Sequence, residues 1–301
     1  MSDARPPIPP NVTREVRQRC RFGCVLCGAP IYEYHHMVPY SESPEHLASN
    51  ITLLCDLHHK EATNALLTSD QISKANENPY CRQHGVTSPY GLHFAGEGFA
   101  CVIGGNSFSS RLQDQEHSTC AIAIAVDDTD LLWFRIDQDG RLFVNANIFD
   151  EFNLPLLIIQ ENAMVYRADT WDVEFKGRNL IVRQASRKIF IDIRFEPPDM
   201  LCIDRARLLC NGVEILVRSS HIFVVNSEQL LARCTSMNCD VGLQLGRNSR
   251  GLAAGFASNP ESLSRYHMPA PESRKRERRA LDGMKKTLED LGVAVDPEIS
   301  T

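Results

Sequence analysis

The spacing of apolar and polar residues separates a short N-terminal region with helix-like stretches from a longer region of strand patterns. Residues 12–21 carry helix formers and basic side chains. An apolar stretch begins after Asn50 and continues into good helix formers. The first region is therefore predicted to fold as a helix, a cysteine knuckle, a strand, a loop and a second helix.

Residues 118–260 contain short apolar runs that alternate with turn-forming stretches. Runs such as LLWFRI and KIFIDIRF are separated by breaks such as DQDG and FKGRN. The breaks recur about every ten residues, which is typical of all-β domains. This region is predicted to be a sandwich, a barrel or a short solenoid. Asp172 is expected to stabilise one of its turns and Trp171 to lie in its core.

Three further segments complete the predicted organisation around an N-terminal domain at 12–80. Residues 1–11 are expected to be a flexible arm, and residues 81–117 a linker or Gly/Ser-rich lead-in. Residues 272–295 are expected to form a charged helical tail, for which a solvated helix is favoured over a nucleic-acid contact. The predicted fold class is α+β: a small mixed module, a mostly all-β domain and a C-terminal charged helix.

Composition and charge limit the classes of function. The 301 residues carry a formal net charge of −6, which argues against a protein that coats nucleic acid by general attraction. Any contact with nucleic acid must therefore be local or assisted by assembly. No run approaches the roughly 18 apolar residues of a membrane helix, and the opening residues do not resemble an export signal. We expect a cytoplasmic protein without a membrane partner.

Cysteine spacing indicates a zinc site. The chain has eleven cysteines, an odd number without the dense spacing of a disulfide scaffold, so a reducing compartment is expected. Cys24 and Cys27 form a C-x2-C pair, and Cys55 begins a second pair with histidine at the third and fourth positions after it. Three thiolates and one imidazole suit tetrahedral zinc. Either His58 or His59 could complete this site.

The residues around the knuckle resemble the HNH (ββα-metal) endonuclease family in its zinc-knuckle variant. The resemblance covers about residues 12–70, where YEYHHMVPY is followed by Asn50 and by CDLHHK. The combination of two cysteine pairs with His35, His36 and a later histidine is specific, whereas a histidine pair alone is not. The resemblance implies that β-strands and a helix together hold a catalytic ion.

The resemblance also implies a role for each histidine. His36 would be the general base, and His59 would bind the catalytic ion, leaving His58 to join the structural Zn²⁺. His35 falls where the family usually has a metal-binding aspartate, so it would be the second protein ligand. Because an imidazole there replaces a carboxylate, preference shifts from Mg²⁺ towards Zn²⁺, Mn²⁺, Ni²⁺ or Co²⁺.

Two other matched positions have supporting roles by the same resemblance. Asn50 would hold the loop and orient the catalytic histidine, and Lys60 could meet a substrate phosphate or simply face solvent. His46, in the intervening loop, is a further candidate for the cleft, although a surface histidine is favoured. Neighbouring residues of a regular strand face opposite ways, so His35 and His36 can share a site only near a strand end or a distortion.

The expected function is a metal-dependent endonuclease that hydrolyses phosphodiester bonds, with double-stranded DNA as the favoured partner. The β-rich domain would serve recognition, regulation or homo-oligomer assembly. By analogy, the fusion of a nuclease module to a non-catalytic β-rich domain suggests a bacterial or phage-associated effector in restriction or antiviral defence. Two alternatives remain: a catalytically inactive zinc-knuckle binding or scaffold protein, and an RNA-targeting nuclease with the same motifs.

Overall fold

The computed structural model describes most of the chain, as two compact units. The described residues are 6–96, 98–111, 119–225, 227, 229–258 and a few isolated positions beyond 262. The first unit comprises Met1–Pro89 and Arg167–Lys176, and the second comprises Tyr90–Tyr166 and Gly177–Thr301. Most of the predicted tail at 272–295, and residues 1–5 of the predicted arm, lie outside the described residues.

The chain is a mixed α+β protein that is mostly β. The described helices are α1 (Pro10–Cys20), α2 (Asp56–Thr63), α3 (Ser69–Glu77) and α4 (Tyr80–His84). None of the helices in this described part is long and apolar enough to cross a membrane. Helix α1 begins inside the segment predicted as a flexible arm, because Pro10 suits the first turn of a helix, where its missing N–H costs nothing.

The strands follow in chain order. They are β1 (Glu33–His36), β2 (Ile51–Leu54), β3 (Tyr90–Gly91), β4 (Gly98–Ile103), β5 (Asn106–Arg111), β6 (Thr119–Val126), β7 (Thr129–Ile136), β8 (Leu142–Phe149), β9 (Pro155–Gln160), β10 (Ala163–Tyr166), β11 (Asp172–Lys176), β12 (Asn179–Ala185), β13 (Lys188–Glu196), β14 (Met200–Cys210), β15 (Val213–Arg218), β16 (His221–Val224), β17 (Gln229–Leu231), β18 (Thr235–Met237), β19 (Val241–Leu245) and β20 (Ala254–Ser258).

In the first unit, β1 and β2 form an antiparallel pair that is followed at once by α2. His36 lies opposite Ile51, and the loop between the strands closes in a 3-10 turn over Ala48–Asn50. All four side chains of β2 are buried. Leu53 packs in a core with Val16 of α1 and Ile72 of α3. The hairpin therefore rests on a small apolar core to which helices and knuckle contribute.

Residues 167–176 belong to this first unit, although the sequence assigned them to the β-rich domain. Val86 forms an isolated bridge with Arg167. The Gln18 amide donates to the carbonyl of Trp171 at 2.7 Å. Asp172 is buried and pairs with Arg17 at 2.9 Å, so its expected role as a turn stabiliser was wrong. A partner so distant in the chain leaves no local pattern.

The second unit contains two sheets. One runs β20-β19-β6-β7-β8-β9-β10-β3. The other runs from β12 through β17 in sequence order, with β4 paired to β14 and β5, and β18 paired to β5. Hairpin neighbours pair antiparallel, whereas β4 with β14 and β6 with β19 pair parallel. The regular turn spacing predicted the hairpins but not these distant parallel pairs.

The two sheets pack face to face through apolar side chains. Phe99 of β4 stacks on Phe134 of β7 with ring centroids 4.3 Å apart. Phe108 of β5 lies so close to β19 that a Cβ at Gly242 would be 2.2 Å from its ring. The core of the second unit therefore lies between the sheets, as the alternating strand pattern leads one to expect.

Most of the described part of the segment predicted as a linker, 81–117, is ordered structure. It contains α4, β3, β4 and β5. Strand β4 alternates buried and half-buried side chains, with Cys101 and Ile103 fully buried. Gly104 has a positive φ, and a Cβ there would lie 2.4 Å from the carbonyl oxygen of His221. The glycines thus form a tight hairpin turn, which composition alone cannot distinguish from a linker.

Candidate functional site

The first cysteine pair lies in a tight turn after α1. The Gly28 N–H donates to the Cys24 carbonyl oxygen at 2.8 Å. Gly28 has φ +75°, and a Cβ on it would lie 2.3 Å from the ring of Tyr80. The Val25 N–H donates to the Leu53 carbonyl at 3.0 Å, which fixes the knuckle to β2. The turn therefore holds both thiols beside the start of α2.

Four side chains meet to form a potential metal centre. Their ligand atoms all lie within 4.8 Å of one another, and the residues are Cys24, Cys27, Cys55 and His58. His58 Nδ1 is 3.3 Å from Cys24 Sγ and 3.2 Å from Cys55 Sγ, and the Cys27 and Cys55 sulfurs are 3.8 Å apart. Zinc–sulfur bonds of about 2.3 Å in a tetrahedron place two sulfurs about 3.8 Å apart. The cluster fits a structural zinc ion, with His58 rather than His59.

The electrostatics of this centre favour a thiolate. A hydrogen bond from the Cys27 thiol, with help from backbone amides, lowers the pKa of Cys24 to about 4 despite burial. The pKa of Cys27 is raised, because its proton is held in that bond and because the site is buried. Burial raises the pKa of Cys55 as well. Metal-binding cysteines act as thiolates, so the site favours the required charge at Cys24, whereas Cys27 and Cys55 would lose their protons on metal binding.

The next residue on α2, His59, turns towards a second cluster. Consecutive helical residues are about 100° apart, so His58 and His59 face different partners. The His59 ring meets that of His35 edge-on, with centroids 5.2 Å apart. Glu33 Oε2 lies 3.4 Å from His59 Nδ1. Burial, and then the neighbouring His59, lower the pKa of His35, which favours the neutral imidazole that binds metals.

Glu33 did not stand out in the sequence. A signal was present, because Glu33 precedes His35 by two residues and alternate residues of a strand share a face. The carboxylate that is missing at position 35 therefore lies on the same side of β1, one step along the strand. The second cluster is therefore His59 with two neighbours from β1, His35 and Glu33. Among the described residues, only the cysteine-rich centre has all of its ligand atoms within 4.8 Å of one another.

His36 faces other partners. Its Nε2 lies 3.2 Å from Nδ1 of His46, and its ring meets that of Tyr40 edge-on at 5.8 Å. The His46 ring stacks on Tyr40 with centroids 4.9 Å apart, and its Nε2 lies 2.8 Å from the Pro6 carbonyl oxygen. The sequence favoured a surface position for His46, but the ring is half-buried against His36. His35 and His36 thus contact different groups, in line with strand alternation.

Asn50 holds the end of β1. Its Oδ1 accepts the Val38 N–H at 2.6 Å, and its Nδ2 donates to the Val38 carbonyl at 3.1 Å. The Met37 N–H donates to the Asn50 carbonyl at 2.9 Å. The amide side chain therefore extends the β1–β2 ladder past His36. Lys60 lies exposed on α2, beside His59.

Comparisons with protein-family models, with curated proteins and with solved structures found no match to this chain. The functional argument therefore depends on the geometry of the two clusters and on the motif.

Proposed function

We propose that this protein is a metal-dependent HNH endonuclease whose ββα-metal module consists of β1, β2 and α2. One observation carries the proposal. The adjacent residues His58 and His59 separate into a cysteine-rich centre and a histidine–carboxylate cluster, and His36, which follows His35 on β1, contacts His46. A module this small needs a structural ion to fold, and phosphodiester hydrolysis on it needs a catalytic ion and a base.

The structural ion would be Zn²⁺ held by Cys24, Cys27, Cys55 and His58. The three thiols join the turn after α1 to the start of α2, so metal binding would contribute folding free energy directly. Thiolate ligands need a reducing environment, which supports a cytoplasmic location. No disulfide joins the cysteines in the described part of the chain.

The catalytic ion would be held by His35 and His59. Glu33 would accept the Nδ1 proton of His59, which leaves Nε2 of that ring for the metal, as in other carboxylate–histidine–metal arrangements. Such an ion supplies charge stabilisation at the phosphoryl oxygens and the leaving group. Two imidazoles favour Zn²⁺, Mn²⁺ or Ni²⁺, and Mg²⁺ remains a candidate to be tested.

The chain's own residues would do the proton chemistry. His36 takes a proton from water, the water oxygen bonds to phosphorus, and the bond from phosphorus to the leaving oxygen breaks. The leaving oxygen takes a proton from solvent, so hydrolysis yields one phosphate monoester and one hydroxyl. Asn50 keeps His36 at the end of β1 through its two bonds to Val38. Lys60 would contact a substrate phosphate as a point charge.

The favoured substrate is double-stranded DNA, with RNA as the alternative that the same residues would serve. Because the net charge is −6, contacts with nucleic acid must be local or be assisted by oligomer geometry or a partner. The second unit would then supply recognition, regulation or homo-oligomer assembly. A role in bacterial or phage restriction or antiviral defence is the corresponding biological proposal, and it rests on analogy.

A zinc-knuckle scaffold without catalysis is the second candidate. The cysteine-rich centre is complete with His58 and uses neither His35 nor His59, so the module can fold around one ion. Metal analysis separates the candidates. Two ions per chain support the nuclease, and one tightly held zinc without cleavage supports the scaffold.

The decisive experiment is a cleavage assay on supercoiled plasmid and on RNA with Mg²⁺, Mn²⁺, Ni²⁺ and Zn²⁺. His36→Ala should lower the cleavage rate by about 100- to 10,000-fold, the range for loss of a general base. His93→Ala, at an exposed position of the second unit, is the matched control and should cleave like the wild type. Undiminished cleavage by folded His36→Ala would remove the central assignment.

A further inference from the structure

We propose that His46 is a positioning residue that selects the tautomer of His36, so that Nδ1 of His36 is the nitrogen that accepts the proton of water. The inference rests on the proposed nuclease function, in which His36 is the base. It deepens that function by assigning the reactive nitrogen and by naming the group that selects it.

The chain of bonds begins at a backbone carbonyl. His46 Nε2 lies 2.8 Å from the carbonyl oxygen of Pro6. A carbonyl oxygen only accepts hydrogen bonds, so His46 Nε2 must carry the proton. In the neutral imidazole the other nitrogen, Nδ1, then carries the lone pair and can only accept.

This requirement passes to His36. His36 Nε2 lies 3.2 Å from His46 Nδ1, so His36 Nε2 must donate and therefore carries a proton. The lone pair of the neutral His36 ring is thus on Nδ1. In metal and catalytic sites, a bond to one ring nitrogen commonly determines the protonation of the other in this way.

The relay is held in place by stacking. Tyr40 stacks on the His46 ring at 29° and also meets the His36 ring edge-on, so one aromatic side chain contacts both imidazoles. When the water proton bonds to Nδ1, the His36 ring becomes a cation and its Nε2–H bond to His46 becomes charge-assisted. His46 therefore stabilises the product of proton transfer as well as the starting tautomer, without itself contacting the reacting atoms.

The tautomer can be observed without any assay of cleavage. Long-range proton–nitrogen correlation spectra of the zinc-loaded full chain, labelled in its histidines with nitrogen-15, distinguish protonated from unprotonated ring nitrogens. His36 should show an unprotonated Nδ1 and a protonated Nε2. The opposite tautomer in the folded wild type would overturn the proposal.

Two substitutions separate the hydrogen bond from the stacking. His46→Phe keeps a ring that can stack on Tyr40 but removes the acceptor for His36, whereas His46→Asn loses the ring and keeps an acceptor oxygen near the position of Nδ1. We expect His46→Phe to lower kcat about 10- to 100-fold with KM unchanged, and His46→Asn to recover most of that loss. The spectrum of His36 in His46→Phe should show both tautomers.

The outcomes distinguish this inference from the function on which it rests. If the wild type cleaves and folded His46→Phe cleaves with the same kcat, the role of His46 is overturned and the nuclease proposal stands. A larger loss in His46→Asn than in His46→Phe would also overturn that role, because the ring rather than the acceptor would then matter. Failure of the wild type to cleave with any of the four metals would count against the nuclease alone, since the spectrum still decides the tautomer.

Discussion

Arg17 and Asp172, 155 residues apart in the chain, form a two-pronged ion pair with Nε–Oδ1 and Nη2–Oδ2 distances of 2.9 Å each. Both side chains are buried. Arg17 Nη1 also donates to the hydroxyl oxygen of Tyr34 at 2.9 Å. Burial opposes the charge, but the bond to Asp172 and nearby groups outweigh it and raise the pKa of Arg17. The pair thus joins α1 and β11 to the strand that carries His35.

Replacing Asp172 by Asn should destabilise the protein strongly. The substitution keeps the shape of the side chain but removes the carboxylate that binds the buried Arg17 guanidinium at 2.9 Å, leaving Glu174 at 3.9 Å. Loss of one partner of a buried ion pair costs about 3–5 kcal/mol. The measurement is the free energy of unfolding from denaturant titration. Asp169→Asn is the control, because Asp169 is 68% exposed and pairs with Arg167 at the surface. A change below about 1 kcal/mol in Asp172→Asn, the range of surface pairs, would contradict the stabilising role.

Replacing Cys55 by Ser should remove the structural metal. Serine is a poor zinc ligand, so the chain should lose one bound zinc and the first unit should melt at a lower temperature or fail to fold. Metal analysis and thermal unfolding measure the two effects. Cys120→Ser, at an exposed thiol outside the cluster, should change neither. Full zinc content in Cys55→Ser would exclude this ligand set.

Replacing Glu33 by Gln should weaken the second ion without disturbing the first. Loss of the carboxylate next to His59 Nδ1 should lower the affinity of the second ion by about 10- to 100-fold, as for other groups that support a metal-binding histidine. Calorimetric titration of Mn²⁺ into the zinc-loaded chain gives that affinity. Glu42→Gln, at an exposed loop position, is the control. Equal affinities for Glu33→Gln and the wild type would disprove a role for this carboxylate.

Replacing Asn50 by Ala should impair cleavage more than stability. Both side-chain bonds to Val38 would be lost, but the site is exposed, so water can replace them and the loss of stability should be about 1 kcal/mol. A displacement of His36 by about 1 Å would lower kcat about 100-fold. Turnover and denaturation measured on the same sample test this difference. A loss of activity that only parallels the loss of folded protein would show that Asn50 is structural.

The sequence predicted the first cluster well, because zinc ligands occur at fixed spacings on a turn and a helix. The ligand spacing alone left His58 and His59 as alternatives, because the orientation of α2 relative to the first cysteine pair decides between them. The family resemblance assigned His58 to the structural zinc. Glu33 and the contact between His36 and His46 were not predicted. Predicting the role of Glu33 required knowing which residues of β1 face His59. Predicting the contact between His36 and His46 required the path of a loop whose polar residues show little periodicity.

The fold was predictable where contacts are local. Turn residues and the alternation of apolar and polar positions predict hairpins, and these signals predicted that the second unit is mostly β. Parallel pairs such as β4 with β14 and β6 with β19, and the return of Asp172 to Arg17, depend on partners far along the chain. Gly104 could not be interpreted from composition, because a glycine required by the close approach of the His221 backbone looks the same in the sequence as a glycine in a linker.

Helix α2 and the residue that caps it carry ligands of both proposed ions, with Cys55 and His58 for one and His59 for the other. The rotation of α2 about its axis therefore determines the ligand geometry of both sites. A one-residue deletion or insertion between Cys55 and His59 would rotate the helix by about 100° and misdirect both sites together. Related sequences should therefore differ in this stretch by substitutions and not by insertions or deletions. Loss of the structural zinc should abolish turnover even when every residue of the second cluster is intact.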